Sequence, residues 1–175
     1  LSGPAGGLSA VTTIGEQTSI SKIISFDMGG TSTDVALMDG HFQLTDEGKI
    51  NDWPVAIPML DMETIGAGGG SIAWLDAGNL LHVGPQSAGS KPGPACYNLG
   101  GSQPTVSDAN VVLGRLRPEA FLGGKMSLNI EAAHRAINSL ASQLSMTVLE
   151  LAEGIIQLAE QQMVKALNTI SVQKG

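Results

Sequence analysis

A short segment near the start of the chain combines glycine, hydroxyl and carboxylate residues in the order FDMGGTSTD (Phe26 to Asp34). Gly29 and Gly30 have no Cβ atom, so their backbone can approach a ligand closely. The hydroxyl donors beside them are Thr31, Ser32 and Thr33. A bound phosphate needs backbone N–H groups, hydroxyl donors and usually a magnesium ion. The segment therefore predicts a phosphate-binding turn, with the Gly29 and Gly30 N–H groups facing an open cleft.

Two carboxylates flank this turn and are the predicted catalytic residues. Asp27 stands at the end of the preceding strand, where it could hold water around Mg²⁺, an ion that prefers oxygen ligands and keeps several waters. Asp34 could do the same from the following strand, or could orient the threonine hydroxyls. A plain hairpin with glycine in its turn is the alternative, and in that case neither carboxylate has a ligand role.

A second glycine cluster, GAGGGS, is a candidate ligand loop. Its residues are Gly66, Gly68, Gly69, Gly70 and Ser71. Its glycine density suits a phosphate cradle, but no lysine follows it as in a P-loop. The other interpretations of this cluster are that it contacts the substrate or that it allows close packing of strands.

Other reactive residues are weaker candidates. As paired acids, Asp61 and Glu63 could serve as a general base or as metal ligands, although solvated or capping groups are the more common case. Cys96 has no recognisable histidine partner and is expected to be a small buried residue. Ser107 and Asp108 favour a helix N-cap over a site. Three histidines share no metal-like spacing and are assigned to surface or packing: His41, His82 and His134.

The elements that position these residues follow from hydrophobic periodicity. Residues 22–28 and 33–38 are predicted strands, the first of them buried, joined by the glycine turn and preceded by a small-residue helix over 3–14. Residues 71–76 and 79–84 predict a second hairpin, followed by a long ordered loop to residue 104. The predicted helices cover 108–116, 129–144 and 147–172, the last opened by a capping box at Thr147 and Glu150.

Composition narrows the function classes. The formal net charge is −7 with a pI near 4.7, which argues against a nucleic-acid partner because such binding needs a basic face. No run of 18 apolar residues exists to span a membrane. A single cysteine fits a reducing, cytoplasmic setting. Because the chain opens on Leu1, we expect it to be a piece of a longer protein.

Several long motifs carry a family resemblance. The segments SGPAGGLSAVTTI and KIISFDMGGTSTDVALMDG resemble the connecting helix and the second phosphate-binding hairpin of actin-like ATPases. Together with TIGAGGGSIAWLDAGNLLHVGPQSAGSKPGPACYNLGG, PTVSDANVVLGRL and the final ISVQKG, in this order, they resemble the middle of the hydantoinase A/oxoprolinase family. The resemblance covers nearly the whole chain.

This resemblance implies an α/β fold, a ribonuclease H-like lobe of an actin-like ATPase with a twisted mixed sheet and covering helices, as a single lobe over residues 1–175. It implies ATP and Mg²⁺ as cofactors, a small cyclic amide of the hydantoin or 5-oxoproline type as substrate, and a hydantoinase B-like partner subunit or domain. The family's first glycine–threonine hairpin is expected before Leu1 and a further nucleotide segment after Gly175, so the chain alone should be inactive. A subunit of an ATP-dependent ketone carboxylase, and a nucleotide-gated binding module without chemistry of its own, are the alternatives.

Overall fold

The computed structural model describes residues 2–42, 44–45, 48–50, 53–55 and 59–173. Contacts between residues divide the chain into two compact units. Unit 1 comprises Leu1–Asp27, Thr33–Ile65 and Val164–Gly175, and unit 2 comprises Met28–Ser32 and Gly66–Met163. The single lobe expected over residues 1–175 stays a prediction.

The first helix, α1 (Ser2–Thr18), confirms the predicted small-residue helix and extends it at both ends. It ends at Thr18 and is followed by Ser19, which takes a left-handed φ of 58°. The Ile20 N–H then donates to the Gly15 carbonyl at 3.0 Å, as at many helix C-termini. A Cβ on Gly15 would lie 2.9 Å from the Ile20 carbonyl oxygen, so glycine is required where the chain turns back.

Unit 1 is built on a four-stranded sheet. Its strands are β1 (Lys22–Met28), β2 (Thr33–Asp39), β3 (His41–Phe42) and β8 (Met62–Ile65). Strand β2 has β1 as a neighbour and pairs antiparallel with both β3 and β8. Two further strand pairs lie in the segment before β8, namely β4 (Leu44–Thr45) with β7 (Met59–Leu60), and β5 (Gly48–Ile50) with β6 (Trp53–Val55).

The core of unit 1 lies on one side of β2. Val35 is fully buried and packs with Ala166 and Ile170. These two residues stand at the end of helix α4 (Val148–Asn168) and in the π-helical turn Thr169–Gln173 that follows it. The apolar alternation of β2 thus has a covering layer, which explains why this strand was predictable.

Strand β1 corrects one expectation. The apolar sequence KIISFDM predicts a buried strand, yet Ile24, Phe26 and Met28 are 43%, 42% and 39% exposed. These three residues alternate along the strand and so share one face. Within the part of the chain that the structure describes, nothing covers this face enough to bury it.

Unit 2 contains the predicted second hairpin. Strands β9 (Ser71–Leu75) and β10 (Leu81–Ser87) pair antiparallel. Asp76 builds the turn, because its Oδ1 atom accepts hydrogen bonds from the Gly78 and Leu80 N–H groups at 2.8 and 3.0 Å. Asn79 takes a left-handed φ of 60° in this turn, a conformation that asparagine tolerates.

The remaining helices of unit 2 begin where their capping residues predict. Helix α2 (Val106–Val112) follows Thr105, whose side chain and that of Asp108 form a capping box. Asn129 caps α3 (Ile130–Leu144), and Thr147 with Glu150 forms a capping box before α4. Helix α2 stops four residues earlier than predicted, since Gly114 takes a φ of 68° and breaks the repeat.

These elements enclose the main core of the chain. Its largest fully buried side chains are Ile137 on α3 and Leu151 and Ile155 on α4. Ala73 and Val83 of the hairpin and Ala109 of α2 pack against them. Among the described residues, no helix is both long and apolar enough to cross a membrane.

Candidate functional site

The glycine turn joins β1 to β2 and belongs to unit 2 over residues Met28–Ser32. The Gly29 N–H donates to the Ser32 carbonyl at 2.8 Å and closes the turn. Residues Gly29, Gly30 and Thr31 are exposed. The Gly29 N–H is therefore used to shape the turn itself, and a ligand role for Gly29 stays a prediction.

Other donors of the turn remain available. In the described part of the chain, the N–H groups of Gly30 and Thr31 and the hydroxyls of Thr31 and Ser32 have no hydrogen-bond partner. Two adjacent backbone donors and two hydroxyls at an exposed turn match what a phosphate group accepts. The turn can thus offer a compact set of donors to an anion.

The Gly29 and Gly30 carbonyls of the same turn accept hydrogen bonds from the second glycine cluster. The Gly69 N–H donates to the Gly29 carbonyl at 3.0 Å, and the Gly70 N–H donates to the Gly30 carbonyl at 2.6 Å. Both partners lie in unit 2. The carbonyl lone pairs of the turn are therefore engaged within the protein.

The glycine cluster is itself internally tied. Ser71 is fully buried, and its hydroxyl accepts a hydrogen bond from the Gly68 N–H at 2.9 Å. The Ser71 N–H donates in turn to the Gly68 carbonyl at 3.1 Å. Three successive N–H groups, those of Gly68, Gly69 and Gly70, thus bind protein acceptors. Direct contact of this loop with a ligand stays a prediction.

The two flanking carboxylates lie in unit 1 and differ in their surroundings. Asp27 is exposed, and its Oδ2 atom lies 4.0 Å from where a Cβ on Gly7 of α1 would stand. Asp34 is half-buried and accepts a hydrogen bond from the Thr64 hydroxyl of β8 at 2.6 Å. Asp27 is thus free to hold a hydrated cation, whereas one oxygen of Asp34 is already engaged.

Thr33, the third predicted hydroxyl donor, pairs with Ile65 across the sheet and has no exposed surface. Its role as a phosphate donor stays a prediction. Among the described residues, no group of three or more His, Cys, Asp or Glu side chains could hold a metal ion. A magnesium ion at Asp27 would therefore take its other ligands from water and from phosphate oxygens, as this ion usually does.

Asp108 organises the segment between the second hairpin and α2. It is fully buried and accepts hydrogen bonds from the N–H groups of Ala95, Cys96 and Thr105 and from the Thr105 hydroxyl, at 2.7 to 3.2 Å. This confirms the predicted cap and extends it, because the same carboxylate also binds Ala95 and Cys96, which lie 13 and 12 residues upstream. Asp108 is structural.

Cys96 is fully buried beside this carboxylate. Burial, and then the negative charge of Asp108, raise the pKa of the Cys96 thiol far above its usual value. A thiol that stays protonated is neither a nucleophile nor a metal ligand. The expectation of a small buried residue is confirmed.

The histidines also occupy the predicted surface and packing positions. His41 and His134 are exposed. His82 stacks on Trp74 with ring centroids 4.6 Å apart, and its Nε2 atom lies 2.8 Å from Asp76 Oδ2. The hydrogen bond from His82, followed by those from the turn N–H groups, lowers the pKa of Asp76. This pair fixes the hairpin tip.

Sequence reasoning found both glycine clusters but not their contact. The clusters are 38 residues apart, counted from Gly30 to Gly68. A signal existed in their shared composition, since glycine without a structural φ requirement often marks a close approach of two backbones. Ser107 was likewise missed as a neighbour of this loop, where its N–H donates to the Gly69 carbonyl at 2.7 Å.

Comparison with known proteins decides the family. The sequence profile of the hydantoinase/oxoprolinase family matches residues 1–175. The chain belongs to this family. It is 43% identical to the caprolactamase subunit alpha of Pseudomonas jessenii over 99% of this chain and 25% of the relative. It is 40% identical to the acetophenone carboxylase gamma subunit of Aromatoleum aromaticum, over 94% of this chain and 23% of the relative.

A solved structure confirms the fold. A nucleotide-free acetone carboxylase matches 99% of this family member and 25% of its own chain, with a TM-score of 0.91 at 33% identity. The expected α/β fold of an actin-like ATPase-type hydantoinase is thereby confirmed. The chain spans about a quarter of the length of these relatives.

Proposed function

We propose that the turn Gly29–Ser32 binds phosphate oxygens of ATP, and that the full-length protein uses ATP to open a small cyclic amide. The Gly30 and Thr31 N–H groups carry this proposal, because both residues are exposed and neither N–H group has a partner among the described residues, while the Gly29 and Gly30 carbonyls accept hydrogen bonds from the second glycine cluster. The relative from Pseudomonas jessenii, whose solved structure is that of an ATP-dependent caprolactamase, supports it.

The chemistry follows from the weak electrophilicity of an amide carbon. Transfer of the γ-phosphoryl group to the amide oxygen breaks the β–γ P–O bond, releases ADP and makes the carbon electrophilic. Water then adds to this carbon, the ring C–N bond breaks and the nitrogen takes up a proton, which leaves an acyl phosphate. A second water hydrolyses this acyl phosphate to the carboxylate and inorganic phosphate. Such transfer depends on positioning and charge neutralisation, which hydrogen-bond donors and a cation supply.

The chain's residues would divide this work. Gly30, Thr31 and Ser32 would bind phosphate oxygens through N–H and hydroxyl groups. Asp27 would hold Mg²⁺ through water, and Asp34, which accepts a hydrogen bond from the Thr64 hydroxyl, would orient the hydroxyls of the turn. A second, hydantoinase B-like subunit or domain is part of the proposal, because two relatives are named as subunits.

A ketone carboxylase is the second candidate, favoured by the match to acetone carboxylase at a TM-score of 0.91. The full-length protein and its partner would be incubated with Mg-ATP and either a cyclic amide or a ketone with bicarbonate. Ring-opened amino acid from caprolactam, hydantoin or 5-oxoproline supports the hydrolase. Formation of carboxylated acetone or acetophenone, without ring opening of the cyclic amides, would contradict the hydrolase and support the ketone carboxylase.

Replacing Asp27 by Asn tests the magnesium role. The change keeps size but removes the charge, so ATP-dependent turnover should fall by on the order of 10²–10³ while Tm stays near the wild-type value. Asp39→Asn is the matched control, because Asp39 is an exposed strand-end carboxylate that pairs with Lys22 at 3.4 Å. Full turnover of Asp27→Asn, measured per folded molecule at saturating Mg-ATP, would remove Asp27 from the site.

A further inference from the structure

The glycine cluster lies closer to the turn than any other residue type would allow. A Cβ built on Gly68 would lie 2.8 Å from the Gly29 carbonyl oxygen, the Gly30 carbonyl carbon and the Thr31 nitrogen. All three atoms are backbone, so no rotamer change can relieve the contact. Gly68 has no left-handed φ that would explain glycine, which leaves the approach of the two backbones as its reason.

Other glycines show that this is specific. Gly69 would place a Cβ 2.8 Å from the Ser107 hydroxyl oxygen, a side-chain atom that can move, and 4.0 Å from the turn. Gly154 of α4 has room, with its nearest neighbour, a Leu81 methyl, at 3.6 Å. A Cβ on Gly70 would also meet the turn, 2.9 Å from the Gly30 carbonyl oxygen, but among the described glycines only Gly68 would meet backbone atoms of Gly29, Gly30 and Thr31 together.

We propose that Gly68 and Ser71 position the phosphate-binding turn and so set its affinity and reactivity toward ATP; this rests on the proposed function. Gly68 lies against the peptide units of Gly29, Gly30 and Thr31, and the N–H groups of Gly30 and Thr31 would bind the phosphate. Ser71 fixes Gly68 by accepting its N–H at 2.9 Å in a fully buried position. The adjacent Gly69 and Gly70 N–H groups complete the attachment through the turn carbonyls.

The support acts on the direction of the donors. Hydrogen bonds weaken steeply when the donor angle closes, and a misplacement of about 1 Å in a phosphoryl-transfer site costs on the order of 10²-fold in rate. An added methyl on Gly68 must move the turn by a comparable distance. Gly68 and Ser71 are therefore positioning residues, and they need not touch the nucleotide.

The test compares Gly68→Ala with Gly154→Ala, which adds the same methyl where space exists, in the full-length protein. Gly68→Ala should lower kcat/KM for ATP by about 10²-fold, whereas Gly154→Ala should leave it unchanged. Wild-type kinetics in a folded Gly68→Ala variant would overturn the proposal. The loss should appear per folded molecule, which a purely structural role would not produce.

Ser71→Ala is the milder second variant, in case Gly68→Ala does not fold. It adds no atoms and removes the acceptor of the Gly68 N–H, so we expect a loss of roughly tenfold in kcat/KM for ATP at an unchanged folded fraction, the scale of a hydrogen bond of about 1.4 kcal/mol. A wild-type value would overturn the positioning role.

A measurement without nucleotide separates this proposal from the proposed function. Amide hydrogen exchange of the peptide that contains Gly69 and Gly70 should speed up in Gly68→Ala and not in Gly154→Ala, because their bonds to the turn would be broken. If the wild-type protein fails to bind Mg-ATP, the proposed function fails while this exchange difference persists. If ATP binds and exchange is unaffected, the positioning proposal alone fails.

Discussion

Asp108 offers the most sharply defined test of the fold. In Asp108→Asn, one carboxylate oxygen becomes an NH₂ group that cannot accept a hydrogen bond. Placed at Oδ2, it faces the Ala95 and Thr105 N–H groups; placed at Oδ1, it faces only the Cys96 N–H. The second orientation loses less, and it still leaves one buried backbone donor without an acceptor.

The magnitude follows from this single orphaned donor. A buried unsatisfied N–H costs about 1–3 kcal/mol, which for a chain of this size lowers Tm by roughly 2–12 °C. Asp108→Ala would orphan three backbone donors, the N–H groups of Ala95, Cys96 and Thr105. At about 3–9 kcal/mol, that loss approaches the whole stability of a domain. The asparagine variant is therefore the informative one.

The assay is thermal unfolding beside a matched control. Glu150→Gln makes the same chemical change in the capping box of α4, where Glu150 accepts from the Thr147 N–H at 2.8 Å and from its hydroxyl at 2.7 Å. That box is exposed, so water replaces the lost acceptor and the shift of Tm should be clearly smaller than in Asp108→Asn. Equal shifts of Tm in the two variants would refute the argument from burial.

The remaining predictions concern two side chains with shifted pKa values. Cys96 should not react with a thiol-specific disulfide reagent in the native protein and should react fully in urea, since burial and Asp108 raise the pKa of its thiol; rapid native labelling would contradict this. The pKa of Asp76 in the folded protein is lowered by the hydrogen bond from His82. The interactions of Asp76 therefore stabilise the fold at pH values above its pKa in the unfolded chain, and this stabilisation is lost as pH falls through its pKa in the folded protein. Asp76→Asn should therefore lower Tm at pH 6, and the gap to wild type should close toward about pH 3; a gap independent of pH would contradict it.

Local features of the fold were predictable because their causes are local. The capping pairs Thr105 with Asp108 and Thr147 with Glu150 lie three residues apart, and the glycine turn lies between two apolar strands. Each signal fits within one turn of chain. The helix starts and both hairpins therefore followed from the sequence.

Long-range features did not follow, for reasons that are equally physical. The apolar alternation of β1 predicts that its side chains are buried, but it does not indicate which element covers them. The exposure of Phe26 was therefore not predicted. The sequence allows the Gly29 N–H to donate either to a ligand or to the Ser32 carbonyl, and the geometry of the turn determines that it donates to Ser32. The contact of Gly68 with the turn depends on two backbones meeting across many residues of sequence, which composition alone does not encode.

The hydrogen bonds of Asp108 have a consequence for native-state opening. Segments rich in glycine and proline usually exchange their amide protons through small local fluctuations. The Ala95 and Cys96 amides instead donate to a carboxylate that lies inside the first turn of α2. Opening the Ala95 and Cys96 amides to exchange therefore also requires disrupting the first turn of α2. This stretch should therefore open together with α2 as one cooperative unit, and its exchange rate should report the stability of a helix although its sequence is that of a loop.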